Sequence, residues 1–163
     1  MTPEIDELAA ELVAACRERG LTVATAESCT GGLIAGAITS ISGSSAVLDR
    51  GFVTYSNAAK TAMLGVPDPM LVAHGAVSRQ VALAMVEGTL AAAPVDLAVA
   101  VTGIAGPGGG SEAKPVGLVH IAAARRGRAF VGLEQRYCEI GRRDVREATV
   151  RDALAALLDL AVT

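Results

Sequence analysis

The residues best suited to chemistry in this chain lie in TAESCTGG, Thr25 to Gly32. Ser28, Cys29 and Thr30 are three successive nucleophiles, and the glycine pair Gly31-Gly32 follows them. Apolar runs lead in and out, which reads as a buried strand, a tight turn and a helix start. A nucleophile in such a turn sits beside backbone N–H groups and the positive end of a helix, both of which stabilise an oxyanion. A purely structural reading is also open, because Ser and Thr cap helices and Gly-Gly permits close packing. The usual proton acceptor is scarce. Of the two histidines, His120 alternates with apolar residues and reads as a core side chain, and His74 reads as part of a loop.

Lysine is scarce as well: Lys60 and Lys114 stand against twelve arginines. Lys60 ends the stretch TYSNAAK, five residues after Tyr55, at a strand-to-helix junction. There it can serve as a base if burial or a cationic neighbour lowers its pKa toward neutrality. A lone helix lysine is otherwise a solvated one. VTGIAGPGGG, Val101 to Gly110, follows an apolar strand, the usual place for a binding loop in an α/β sheet. Its small residues expose N–H groups that can form an anion-binding nest, although it has neither the GK[ST] ending nor the GxGxxG spacing of the known phosphate loops. GRRDVRE, Gly141 to Glu147, places Arg142 and Arg143 at a helix start, where positive charge opposes the dipole. Such a placement hints at a bound anion, or it is an ordinary solvated face.

The elements that must position these residues follow from periodicity and punctuation. A helix is expected over 3–19, capped by Thr2, opened by Pro3 and closed by Gly20. Strands are expected over 21–26, 46–55, 95–101, 116–124 and 129–138, with Gly51 as a bulge and RRGR as a hairpin turn. Further helices are expected over 31–40, from a Ser56 cap through Met63, over 79–92 behind a Ser78 cap, and over 141–160. PDPMLVAHGAV reads as connection, and 102–115 as a Gly/Pro-rich loop. The alternation of helices and buried strands predicts a three-layer α/β/α sandwich with a mixed, mostly parallel sheet of about five strands. No linker or repeat interrupts it, so a single domain over 1–163 is expected.

Composition bounds the function. The chain has 163 residues, 52% of them apolar but only 2% aromatic, so the core is aliphatic. A net charge of −3 gives no basic surface for nucleic acid. Cys16, Cys29 and Cys138 show no metal-ligand spacing, and read as reduced thiols of a cytoplasmic protein. No signal peptide is expected, and no run reaches the ~18 apolar residues of a membrane span. No metal cluster is expected either.

TAESCTGG, GFVTYSNAAK, HGAVS, VTGIAGPGGG with KPVGLVHIA, and the GRR helix together resemble the CinA C-terminal domain family, over nearly the whole chain and in the family's order. Larger CinA proteins carry a separate N-terminal domain, and this chain resembles the stand-alone form. The resemblance implies a metal-independent amidohydrolase without cofactor. It would convert a small-molecule nucleotide, nicotinamide mononucleotide, to nicotinic acid mononucleotide and ammonia. It further implies Ser28 as nucleophile, Lys60 as base and Tyr55 as support for the pair. Substrate contacts are implied at Thr30 and Gly31, in the loop at Thr102, Gly103, Ala105, Gly106, Gly108 and Gly109, and at Arg142 as a phosphate or substrate contact. In this reading the helix-start N–H groups after Ser28 hold the oxyanion, and Cys29 packs away from it. A catalytically silent nucleotide-binding module, or an amidase for another small amide, are the alternatives. The Ala/Val-rich composition leads us to expect a homo-oligomer.

Overall fold

The structure, a computed structural model, describes all residues from Met1 to Thr163. Helix α1 (Pro3–Arg19) opens as expected: the Thr2 hydroxyl accepts the Ile5 N–H and Gly20 ends the helix in the left-handed region. Its buried stripe is Ile5, Ala9, Leu12, Val13 and Cys16. Then follow β1 (Val23–Glu27), α2 (Leu33–Thr39), a 3-10 turn (Ser44–Ala46), β2 (Leu48–Val53), α3 (Asn57–Leu64), α4 (Asp68–His74) and α5 (Arg79–Ala92). The chain finishes with β3 (Leu97–Gly103), β4 (Leu118–Arg125), β5 (Val131–Arg136) and α6 (Arg142–Val162). No helix is long and apolar enough to cross a membrane.

The five strands lie in the order β2-β1-β3-β4-β5. β1 pairs in parallel with β2 and β3, while β3–β4 and β4–β5 are antiparallel, so only β4 runs against the rest. The sheet is therefore mixed with four strands in one direction, as expected. From β1 the chain leaves through α2 to β2, then returns through α3 to α5 to β3 on the other side of β1. That reversal opens a crevice at the carboxyl ends of β1 and β3, the place where open α/β sheets bind ligands.

Strand alternation builds two different faces. Val23, Leu97, Val99, Val101, Val119 and Ile121 pack beneath α1, α2 and α6. The residues between them are Ala24, Ala26, Ala98, Ala100, Ala122 and Ala124, and they face the bulkier Val81, Met85 and Val86 of α5. Large side chains come from the strands on one face and from the helix on the other, so bulk and small residues alternate across the sheet. Each buried Val, Leu or Met contributes about 1.5–3 kcal/mol.

Two details depart from expectation. PDPMLVAHGAV holds α4, because Pro67 and Pro69 lie at a helix N-terminus, where the missing N–H costs nothing. Gly51 is not the bulge: the register of β1 on β2 shifts beside Leu48, at Asp49. Gly51 instead makes room for α2, since a Cβ there would lie 3.2 Å from Ala35 Cβ and 2.9 Å from Thr25 Oγ1.

The tightest helix contact is at Gly88 of α5, where a Cβ would collide with the Leu64 carbonyl that ends α3. Gly88→Ala therefore lowers stability by about 1–3 kcal/mol, although alanine is ~1 kcal/mol the better helix former. Chemical denaturation at neutral pH measures the sign. A stabilised variant would show that α3 and α5 do not pack this closely.

Candidate active site

β1 ends at Glu27, and the chain turns at once through Ser28, Cys29 and Thr30 into α2. Gly31 (φ +60°) and Gly32 (φ +104°) supply the left-handed backbone that makes this turn possible. Alternation along β1 decides which nucleophile faces which layer. Cys29 continues the odd-numbered face and is buried in the aliphatic cluster beneath α1, α2 and α6. Burial pushes its thiol pKa up to about 11, so it is an inert core thiol. The Thr30 hydroxyl, fully buried, donates to Glu27 Oε1 at 2.6 Å. Ser28 is left half-buried and facing the α3 side.

α3 brings Lys60 to it. The Ser56 hydroxyl caps that helix by accepting the Ala59 N–H at 3.0 Å. Lys60 lies one turn further on, 1% exposed. Its Nζ donates to the Thr54 carbonyl at 2.8 Å and to Ser28 Oγ at 3.0 Å. Thr54 is itself fixed, because its N–H donates to the Glu27 carbonyl at 2.9 Å. No carboxylate pairs with Lys60: the six ion pairs of the structure all involve other residues. Burial without a counter-charge holds the Lys60 pKa below its ordinary range. A serine hydroxyl and a buried amine of lowered pKa within hydrogen-bond distance have the geometry of a serine–lysine pair.

The backbone donors differ from the sequence expectation in one respect. The first free N–H groups of α2, those of Ile34 and Ala35, are taken by the Glu27 carboxylate at 2.8 and 3.1 Å. Glu27 is 1% exposed and thereby caps α2 from within the sheet. The N–H groups of Cys29, Thr30 and Gly32, in the turn ahead of the helix, make no hydrogen bond within the protein. They are the unpaired donors beside Ser28 in the chain.

The remaining expected residues fall into two groups. Arg142, at the start of α6, bridges the site: it donates to the Gly106 carbonyl at 2.9 Å and to the Tyr55 hydroxyl at 2.8 Å. Tyr55 is exposed, and the bond from Arg142 is its one side-chain hydrogen bond; it makes none with Ser28 or Lys60. In the loop, the Thr102 hydroxyl points inward and donates to the Ala76 carbonyl at 2.9 Å. Ala105 is buried, and a Cβ on Gly103 or Gly106 would meet Val119 at 2.6 Å or Val116 at 2.5 Å. These residues shape the loop from below, and exposed Gly108 and Gly109 form its open rim.

Three residues that position the site were missed from the sequence: Glu27, Thr54 and Arg146. Arg146 donates to the carbonyls of Cys29 at 3.0 Å and Thr30 at 3.1 Å, clamping the nucleophile turn from α6. Its spacing of four from Arg142, which puts both on one helix face, was the available signal.

The chain resembles known proteins throughout this architecture. The CinA C-terminal domain model matches residues 5–161. The nicotinamide-nucleotide amidohydrolase PncC of Escherichia coli (strain K12) is 52% identical over 149 residues, covering 90% of this chain and 88% of that protein. PncC of Enterobacter agglomerans is 55% identical over 132 residues, 80% of each chain. The crystal structure of competence/damage inducible protein CihA from Agrobacterium tumefaciens superposes with a TM-score of 0.97 at 57% identity, covering 98% of this chain and 97% of that one. By sequence and fold alike, this chain belongs to the CinA C-terminal domain family.

Proposed function

We propose that the protein is a nicotinamide-nucleotide amidohydrolase in which Ser28 is the nucleophile and Lys60 the base, within one amidase domain. The observation that carries this reading is the 3.0 Å contact between Ser28 Oγ and the Nζ of a buried lysine without a counter-ion. The similarity to the PncC amidohydrolases supports the substrate, nicotinamide mononucleotide.

In the reaction, neutral Lys60 takes the Ser28 proton as Oγ attacks the carboxamide carbon. The resulting oxyanion meets the free N–H groups of the turn, Cys29 and Thr30. Collapse of the tetrahedral intermediate breaks the C–N bond, and the Lys60 ammonium returns its proton to the departing ammonia. Water then adds to the Ser28 ester with Lys60 again as base, releasing nicotinic acid mononucleotide and restoring the hydroxyl. The Thr54 carbonyl holds Nζ in place through both half-reactions, and Arg142 fixes the glycine loop beside Tyr55.

Ammonia release from nicotinamide mononucleotide, measured with chelator present, is expected from the wild type and from Cys29→Ala. Ser28→Ala loses at least about a thousandfold in kcat. Loss in Cys29→Ala alone would assign the nucleophile to the neighbouring thiol. Tight nucleotide binding by the wild type without ammonia release would instead make the chain a binding module.

Because the base must be neutral, kcat/KM rises with pH through the lowered pKa of Lys60 and levels above it. A profile flat from pH 5 to 9 would remove Lys60 from this role.

The same shift appears in stability. The Lys60 pKa is lower folded than unfolded, so the unfolded state binds more protons below the unfolded value of about 10.4. Wild-type stability relative to Lys60→Met therefore rises as pH is raised toward that value. Parallel denaturation curves at neutral and alkaline pH measure the difference. A gap independent of pH would mean that the amine is charged in the folded protein.

A further inference from the structure

A second cavity, of about 420 Å³, opens at the same edge of the sheet and shares no residue with the Ser28–Lys60 pair. It lies between the start of α5, the β4–β5 ladder and the arm of the β3–β4 loop. Arg79, Lys114 and Arg136 line it, together with His74, His120 and one carboxylate, Glu134. Glu134 pairs with Arg136 at 3.3 Å, and the two further cations, Arg79 and Lys114, leave the pocket positive on a chain whose net charge is −3.

The pocket is built around two of these cations. The Lys114 side chain lies along Gly75 and donates to the His74 carbonyl; a Cβ on Gly75 would sit 2.9 Å from its Nζ. The Arg79 guanidinium lies over Gly132 of β5, where a Cβ would be 2.5 Å from Nη1. The absence of a side chain at each glycine is what lets the cation reach the cavity. At its base is His120, 9% exposed, whose imidazole makes no hydrogen bond within the protein. Its nearest charged partner is Glu134, with Nε2 to Oε1 at 3.9 Å. The imidazole lines the cavity and makes no hydrogen bond within the protein, so its ring nitrogens are open to a ligand there.

Register places this cavity in line with the nucleophile. Glu27 pairs with Val101, Thr102 with His120, and His120 with Glu134. Ser28, Thr102, His120 and Glu134 thus stand in one row across the sheet, beneath α3 to α5. Two strand spacings, about 10 Å, separate the Ser28 and His120 backbones, with the Thr102 hydroxyl between them. That span is comparable to the reach of a nucleoside monophosphate from base to phosphate.

We propose that the pocket of Arg79, Lys114, His120 and Arg136 binds a phosphate monoester. The anion is held by the three cations and by a hydrogen bond from the His120 imidazole. The phosphate is either that of the nucleotide cleaved at Ser28, an arm that rests on the amidase reading, or that of a separate small molecule bound beside it.

Titration calorimetry with inorganic phosphate tests the site without reference to any activity. Binding to the wild type is expected. It should weaken about tenfold in each of Lys114→Ala and Arg136→Ala, and remain unchanged in Arg128→Ala, an exposed arginine elsewhere. No phosphate binding by the wild type, or equal affinity in all variants, overturns the proposal. The source is read from a second arm. If the phosphate is the substrate's own, inorganic phosphate competes with nicotinamide mononucleotide, and Lys114→Ala raises its KM while turnover of the phosphate-free nucleoside is unchanged. If it belongs to a separate molecule, phosphate binds Ser28→Ala equally well with and without saturating mononucleotide.

Discussion

A lysine amine held in a dry interior without a carboxylate is the constraint on which the rest of this site depends. Burying a charged ammonium is costly, and proteins ordinarily pair it or leave it in water. Here Lys60 is as buried as the core leucines, and its Nζ meets only a backbone carbonyl and a serine hydroxyl. The interior favours the neutral amine, which is the form able to accept a proton. The cost is offset by the aliphatic core of the rest of the fold, and the amine meets the crevice only through the half-buried Ser28.

The nucleophile turn is held with equal economy. Glu27 is the last residue of β1, and its backbone pairs with strands on both sides. Its carboxylate reaches forward to cap α2 and to hold the Thr30 hydroxyl. With the N-terminal donors of the helix thus satisfied, the unpaired N–H groups are those of the turn itself. Arg146 fixes the opposite side of the same turn through two carbonyls, and Arg142 ties the glycine loop to Tyr55. One helix, α6, therefore sets both walls of the crevice. At its start Arg142 meets the Gly106 carbonyl and the Tyr55 hydroxyl, and Arg143 pairs with Glu147 one turn on.

Local patterns carried much of this into the sequence. Thr2, Pro3 and Gly20 mark α1 through capping chemistry that acts within a few residues. Ser56 and Ser78 cap α3 and α5 for the same reason. The alternation of Leu97, Val99 and Val101 with alanines identifies a strand buried on both faces. The scarce lysine and the Ser-Cys-Thr turn stood out as candidates from residue type, which left a solvated lysine and a helix-capping turn equally open. α4 was obscured because its two prolines read as connection, when their meaning depends on which end of a helix they occupy.

Sequence by itself thus determined the residue types available for chemistry, the elements that carry them and the layered class of the fold. These are set by short-range interactions and by periodicity. Tertiary structure decided which of three adjacent nucleophiles faces the amine, since that rests on the pleat of β1 relative to two different layers. It decided that Lys60 is buried rather than solvated, because the helix that carries it packs against α5. It also decided the partners of Glu27, Arg142 and Arg146. Hydrogen bonds between Arg146 and the turn join residues more than a hundred positions apart. No local pattern specifies such a contact; it exists only once the strand order has brought α6 across the end of β1.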